Sequence, residues 1–218
     1  MEHSDAVELV SLRSIWTQLE ISNHGANAMA GAGLLGQSYV LKSDDDSRAQ
    51  PLFFEASYIN GLASRPNVSK TDVQALAASI GAEIVLVIRQ SGPQKEDPAL
   101  WRRTWFGFDA RKAYSSDPNK VREQDEATRR LWKISAVNRA RLDSMERHGG
   151  FGMLISTVGG LVAWTREITG LDPEVNAADP TRHGFIVREA GSWQEKLRGN
   201  WLRTGKGPSV LTWLPDRS

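Results

Sequence analysis

The sequence predicts an α+β protein in which an N-terminal region of mixed helix and strand packs on a small C-terminal β-barrel or bent antiparallel sheet. Three observations predict it. Residues 69–88 read as a capped helix followed by a run of consecutive apolar residues. Residues 151–169 read as two apolar strands joined by Gly159-Gly160, a pair that suits a tight hairpin turn. Charge and tryptophan both divide near residue 100. Residues 1–100 carry 7 Lys/Arg against 12 Asp/Glu, and residues 101–218 carry 20 against 14. Seven of the eight tryptophans (Trp101, Trp105, Trp132, Trp164, Trp193, Trp201 and Trp213) fall in the second part. The division predicts two modules, 1–100 and 101–218, with the basic one facing a polyanion.

The elements follow in order. Leu9, Leu12, Trp16 and Leu19 stand at helical spacing, which predicts a helix over 5–21, although Val7 and Leu9 also suit a strand start. Residues 22–36 are rich in Gly, Ala and Asn and read as a loop. Residues 38–42 read as a strand ending in the acidic turn 43–46. Residues 51–64 read as helical up to Pro66-Asn67. Ser69 with Asp72 makes an approximate capping box, and Gly81 a C-cap. Val73, Leu76, Ala77 and Ile80 share one face of the helix between them. Residues 84–88, Ile-Val-Leu-Val-Ile, predict a strand buried on both faces. A polar loop follows to Pro98, then a strand over 102–108. Asp117-Pro118 precedes a helix over 120–132 and a shorter piece over 135–146. After the hairpin come a loop over 172–183, a strand over 184–188, a helix or turn over 193–202 and a last strand over 209–213.

Composition excludes several functions. Hydrophobic residues make up 40% and charged residues 24%, as in ordinary globular proteins. No run approaches the ~18 apolar residues that read as a membrane span. The first residues lack the basic and apolar regions of a signal peptide. The absence of cysteine rules out disulfides, thiolate zinc sites and a cysteine nucleophile. The sequence therefore predicts a cytoplasmic protein without membrane association, bound metal or cofactor.

No motif supplies a complete catalytic set. Gly31, Gly33 and Gly36 fit G-x-G-x-x-G, but a strand follows where the dinucleotide fold needs a helix, so they read as a small-residue loop. Residues 69–81 resemble the first half of a helix-turn-helix, yet a strand follows where a recognition helix belongs. His3, His24, His148 and His183 have no metal-ligand spacing. Asp44, Asp45 and Asp46 lack the glycine and distal glutamate of a calcium loop. Glu123, Asp125 and Glu126 read as helix-surface charges, and no Gly-x-Ser-x-Gly elbow occurs. What stands out is a basic and aromatic set. Arg129, Arg130 and Lys133 surround Trp132, and Arg139 and Arg141 follow. Arginine and lysine meet phosphates, while flat bases stack on aromatic rings. The same pattern also suits tryptophans in a core with arginines facing water.

Residues 125–133, Asp-Glu-Ala-Thr-Arg-Arg-Leu-Trp-Lys, are similar to the Glu-Ala-Thr-Arg-Gly-x-Trp segment of a widespread bacterial module. Arg130 stands where that segment has glycine, and the closing stretch lacks its Asn-Pro. Residues 157–168 match the following strand pair with Gly160, Val162, Glu167 and Ile168 in register, and residues 183–191 and 198–213 supply the remaining strands. The stretch 105–214 thus resembles PUA-like β-barrels of the EVE and ASCH kind. The resemblance implies recognition of RNA or a modified base, in bacterial defence or on a mobile element, with a nuclease or other protein as partner. The expected function is nucleic-acid binding, with phosphate contacts from Arg129, Arg130, Lys133, Arg139 and Arg141 and a stacking surface from Trp132, Trp164 and Phe185. The alternative is a protein-interaction factor, an inhibitor or assembly protein of a larger complex. An enzyme built on the glycine loop ranks last.

Overall fold

The computed structural model describes residues 7–40, 50–101, 103–178, 181–205 and 207–216. The expected acidic turn at 43–46 and His3 lie outside them. The chain begins with strand β1 (Leu9–Ser11), helix α1 (Leu12–Gln18), helix α2 (Asn23–Gly31), strands β2 (Ser38–Val40) and β3 (Leu52–Glu55), and helix α3 (Ala56–Ala63). β3 is the middle strand of an antiparallel sheet ordered β1-β3-β2. Next come α4 (Lys70–Ser79), β4 (Val85–Gln90), β5 (Gln94–Lys95), α5 (Pro98–Trp101), β6 (Trp105–Phe106), α6 (Ala110–Ala113), α7 (Pro118–Arg129) and α8 (Ala136–Arg147). The hairpin β7 (Gly152–Val158) and β8 (Leu161–Leu171) follows, then α9 (Pro173–Ala178), β9 (Phe185–Glu189), a 3-10 turn (Ser192–Lys196) and β10 (Val210–Trp213).

The fold is α+β. Its main sheet runs β10-β4-β7-β8-β9, with β4 and β7 parallel and every other neighbour antiparallel. The sheet is open and mixed, so no closed barrel forms among the described residues. The division expected at residue 100 does not separate two sheets either: β4, from the first part, lies between β10 and β7 from the second.

Alternation along β4 explains the layers. Ile84, Leu86 and Ile88 face one side, where Leu142 and Met145 of α8 pack with Leu154, Ile168 and Phe185. Val85 and Val87 face the other, against Val73 and Ala77 of α4 and the rings of Trp193 and Trp213. All five residues 84–88 are at most 1% exposed, as an apolar run covered on both faces requires. A third core joins α1, α2 and α3 to the turn end of the hairpin through Leu161, Trp164 and Trp201.

Several elements differ from the sequence reading. The helix expected over 5–21 starts at residue 12, because the Ser11 hydroxyl accepts from Ser14 N at 3.2 Å and residues 9–11 pair with β3. The expected loop 22–36 contains α2: Ser22 caps it by accepting from Gly25 N at 3.0 Å, and its alanines are good helix formers. Residues 52–55 are strand because they fill the centre of the N-terminal sheet. The expected loop 172–183 contains α9, where Pro173 begins the helix and Asp172 Oδ1 accepts from Glu174 N at 3.0 Å. The strand expected over 102–108 reduces to β6, paired with β5. The capping box of α4 forms as predicted, with Ser69 and Asp72 bonding reciprocally.

The hairpin turn has a demanding geometry. Gly159 and Gly160 have φ of 61° and 96°, the sign needed at both central positions of a type I′ turn. A Cβ on Gly159 would lie 2.8 Å from Met29 Sδ and 3.1 Å from the Gly25 carbonyl oxygen, whereas one on Gly160 would meet nothing closer than 3.8 Å. Gly159→Ala should therefore lose about 2–4 kcal/mol of stability from left-handed strain plus overpacking, and Gly160→Ala only about 1–2 kcal/mol from strain. Urea unfolding of both variants measures the contrast.

Candidate functional site

A cavity of about 1170 Å3 opens at the carboxyl ends of the parallel strands β4 and β7. Crevices at this end of parallel strands are where open α/β sheets bind ligands. Arg89, Gln90 and Ser91 line it from β4, and Thr157, Gly159 and Gly160 from the hairpin. The N-terminal turn of α2 contributes Ser22, His24 and Gly25, and the residues after α7 contribute Arg130, Leu131, Trp132 and Lys133.

A buried polar network fixes α7 over the sheet end. Gln124 donates from Nε2 to the Gly107 carbonyl at 3.1 Å and to Thr128 Oγ1 at 2.8 Å, and its Oε1 accepts from Asp109 N at 2.8 Å. Ser156 of β7 donates to Gln90 Oε1 of β4. Thr128 Oγ1 lies 3.5 Å from the same oxygen. Gln124, Thr128 and Ser156 are all at most 1% exposed, so their polar groups depend on these partners.

The cavity lining is cationic. Arg89, Arg103, Arg130, Lys133, Arg182 and Arg203 face two carboxylates, Glu20 and Glu96. Arg103 is paired with Glu96 and bonds the carbonyls of Ala127 and Arg130 at 3.3 and 3.1 Å. Arg89 differs: its Nε donates to Thr204 Oγ1, its Nη2 to the Thr204 carbonyl and its Nη1 to the Gly207 carbonyl, each at 2.9 Å, and none of these is a carboxylate. Arg203 donates to the carbonyls of Glu20 and Leu19 at 2.8 and 3.0 Å and to Asn67 Oδ1 at 3.1 Å.

Backbone strain gathers in the same place. Among the described residues, the non-glycine positions with positive φ are Glu20 (53°) and Leu131 (68°), and both line the cavity. Each such residue costs on the order of 1–3 kcal/mol, and such strain clusters at functional sites. The carbonyl of Glu20 accepts from Arg203 and that of Leu131 from Arg182 at 3.1 Å, so lining arginines hold both strained segments.

The residues expected from the sequence separate into three groups. Arg130, Trp132 and Lys133 line the cavity. The Trp132 ring is half-buried with its Nε1 donating to the Thr128 carbonyl at 2.6 Å, and Lys133 is exposed. Arg129 is instead committed inward, donating to Asp172 Oδ2 at 2.5 Å, the Phe185 carbonyl at 2.9 Å and Glu126 Oε1 at 2.7 Å. Arg130 shares these acids: its Nε lies 2.8 Å from Glu126 Oε2, but off the line of a hydrogen bond, and its Nη2 lies 3.5 Å from Asp172. Arg139 and Arg141 lie exposed on α8, away from the cavity. The stacking expected of Trp164 and Phe185 is unavailable, because their rings are 3% and 0% exposed and fill the core. Trp164 lies under the guanidinium of Arg166, 4.0 Å from its ring centre, and donates to Asp125 at 2.9 Å. Sequence reading missed Arg89, Arg103, Arg182 and Arg203. One local signal existed, an arginine immediately after the buried run 84–88.

No protein-family model, curated protein or solved structure matches this chain. Among the described residues no helix is long and apolar enough to cross a membrane, and no group of three His, Asp or Glu could hold a metal ion.

Asp172 ties α7 to α9 and β9. Burial pushes its carboxyl upward, but the hydrogen bond from Arg129 and the charges of Arg129 and Arg130 more than offset this and hold it below the usual value of 3.8. A depressed folded pKa stabilises the fold above the unfolded pKa, and that contribution fades as pH falls through the lower folded value. Asp172→Asn should cost no more than the lower end of the about 3–5 kcal/mol of a broken buried pair at pH 7, because Glu126 still partners Arg129 and Arg130. The difference from the parent protein should narrow once pH drops below the usual aspartate range. Urea melts between pH 7 and pH 2.5 test this, and a difference independent of pH would show that the charge is not what matters.

Proposed function

We propose that the protein binds nucleic acid, with the cavity at the carboxyl ends of β4 and β7 as the contact surface. The observation that carries this reading is the excess of six arginine or lysine side chains over two carboxylates around one concavity. Walls of low dielectric concentrate the field of such a lining, which raises the local concentration of anions. The N-terminal end of α2 adds a favourable dipole for an anion. A ligand with flat groups as well as charge fits better than a simple anion, because the half-buried rings of Trp132 and Phe106 line the same space.

Single-stranded nucleic acid suits this lining better than a duplex, because its unstacked bases can lie on an aromatic ring while its phosphates meet the cations. Lys133 meets a backbone phosphate in this arrangement and a base lies against Trp132, while Arg130 stays paired with Glu126 and Asp172. Arg139 and Arg141, on α8, take no part.

Fluorescence anisotropy with short single-stranded DNA, RNA and modified oligonucleotides over a range of salt tests the reading. Lys133→Ala should lower the slope of log K against log salt by about 0.7 on single strands, one phosphate contact's worth. Trp132→Ala should weaken binding by about 1–3 kcal/mol if a base stacks there. A folded protein that binds none of these ligands at low salt would overturn the proposal and favour a protein-interaction factor.

A further inference from the structure

We infer that the Arg89 end of the cavity is a subsite for a terminal phosphate of a nucleoside, either the phosphorylated end of a strand or a free nucleotide. The inference rests on the nucleic-acid reading for its partner but on different residues for its geometry. Arg89 is the cation of the lining with the most fixed position and no acidic partner. Thr204 and Gly207 hold its fork through three separate nitrogens. A guanidinium has further N–H groups beyond those three bonds. Its side chain is half-buried, which makes its uncompensated charge worth more to an anion than one in open water. Carbonyl and hydroxyl acceptors orient it without neutralising it. A phosphate monoester, which carries about −1.5 to −2 charge at pH 7, matches such a site better than a single-charged diester.

The surrounding backbone fixes the subsite. Arg89 ties Thr204 and Gly207 to β4, and Arg203, next to Thr204, is itself tied to the carbonyls of Leu19 and Glu20 between α1 and α2. The cavity lining also includes Gly159, Gly160, Gly205 and Gly207, and Gly207 lies beside the Arg89 guanidinium, so the backbone there leaves room for phosphate oxygens. The aromatic and acidic groups, Phe106, Trp132 and Glu96, belong to the part of the lining built by β5, β6 and the residues after α7, where a base would lie.

Competition binding separates the outcomes. A single-stranded oligonucleotide with a 5′- or 3′-phosphate should bind at least about tenfold more tightly than the same strand with hydroxyl ends, as a charged hydrogen bond of about 1.5–3 kcal/mol implies. Inorganic phosphate should compete with the phosphorylated strand. Arg89→Met should erase the preference. Thr204→Val, which removes one bond to the guanidinium but keeps its charge, should retain part of it and controls for folding of the loop. Nucleoside monophosphates form the second arm. If they bind with the same dependence on Arg89 while no oligonucleotide binds, the subsite stands and the nucleic-acid reading falls. Equal binding of phosphorylated and unphosphorylated strands overturns the subsite and leaves the nucleic-acid reading in place. Failure of phosphate, nucleotides and oligonucleotides alike overturns both.

Discussion

Strand β4 has an apolar layer on each face and a hydrogen-bonded strand on each edge. That double cover is the constraint on which the other elements depend. The parallel pairing with β7 brings the carboxyl ends of both strands to one side, so Gln90 and Ser156 meet in a buried hydrogen bond. That bond and Gln124 in turn seat α7, whose end delivers Arg130, Trp132 and Lys133 to the cavity. The antiparallel pairing with β10 sets Val210 opposite Ile88, which places Thr204, Gly207 and Ser209 beside Arg89. Without β4 buried in the middle, neither wall of the cavity would have a fixed position.

The basic composition of the second half serves two ends, and the structure separates them. Arg129 and Arg166 are spent inside, where each satisfies a carboxylate and neighbouring acceptors. Their role is to join elements, since breaking a buried pair leaves a charge that water cannot reach. Arg89 and Lys133 have no carboxylate partner and are the ones with charge to offer a ligand. Clustering of basic residues along the chain does not distinguish these cases. Arg129 and Arg130 are adjacent in sequence, yet only Arg130 reaches the cavity lining.

What could be read from the sequence were the features with a local cause. The capping box at Ser69 and Asp72, the apolar run of β4 and the glycine pair of the hairpin each carry their reason within a few residues. Helix α2 was hidden because its alanines and glycines, read as a flexible loop, are small for a different reason: Gly25 lies against the Gly159 turn and Ala26 is fully buried. Among the described residues the expected barrel or bent antiparallel sheet is an open mixed sheet, in which β4, far upstream, lies parallel to β7. The site itself was only partly legible. Arg130, Trp132 and Lys133 are neighbours in sequence, but Arg89 and Arg203 come together through strand pairing across more than a hundred residues, which no local pattern records.

The pairing of β4 with β10 also has a consequence for how the chain is made. About 120 residues separate the paired positions Ile88 and Val210. At about 5–20 residues per second, synthesis leaves that edge of β4 without its partner for on the order of ten seconds. The exposed edge belongs to a strand that opens with four consecutive apolar residues, a ready template for another nascent chain. Long-range pairing of this kind also slows folding after release. Yield from cells should therefore depend on growth temperature and on chaperone capacity more than the stability of the finished fold would suggest.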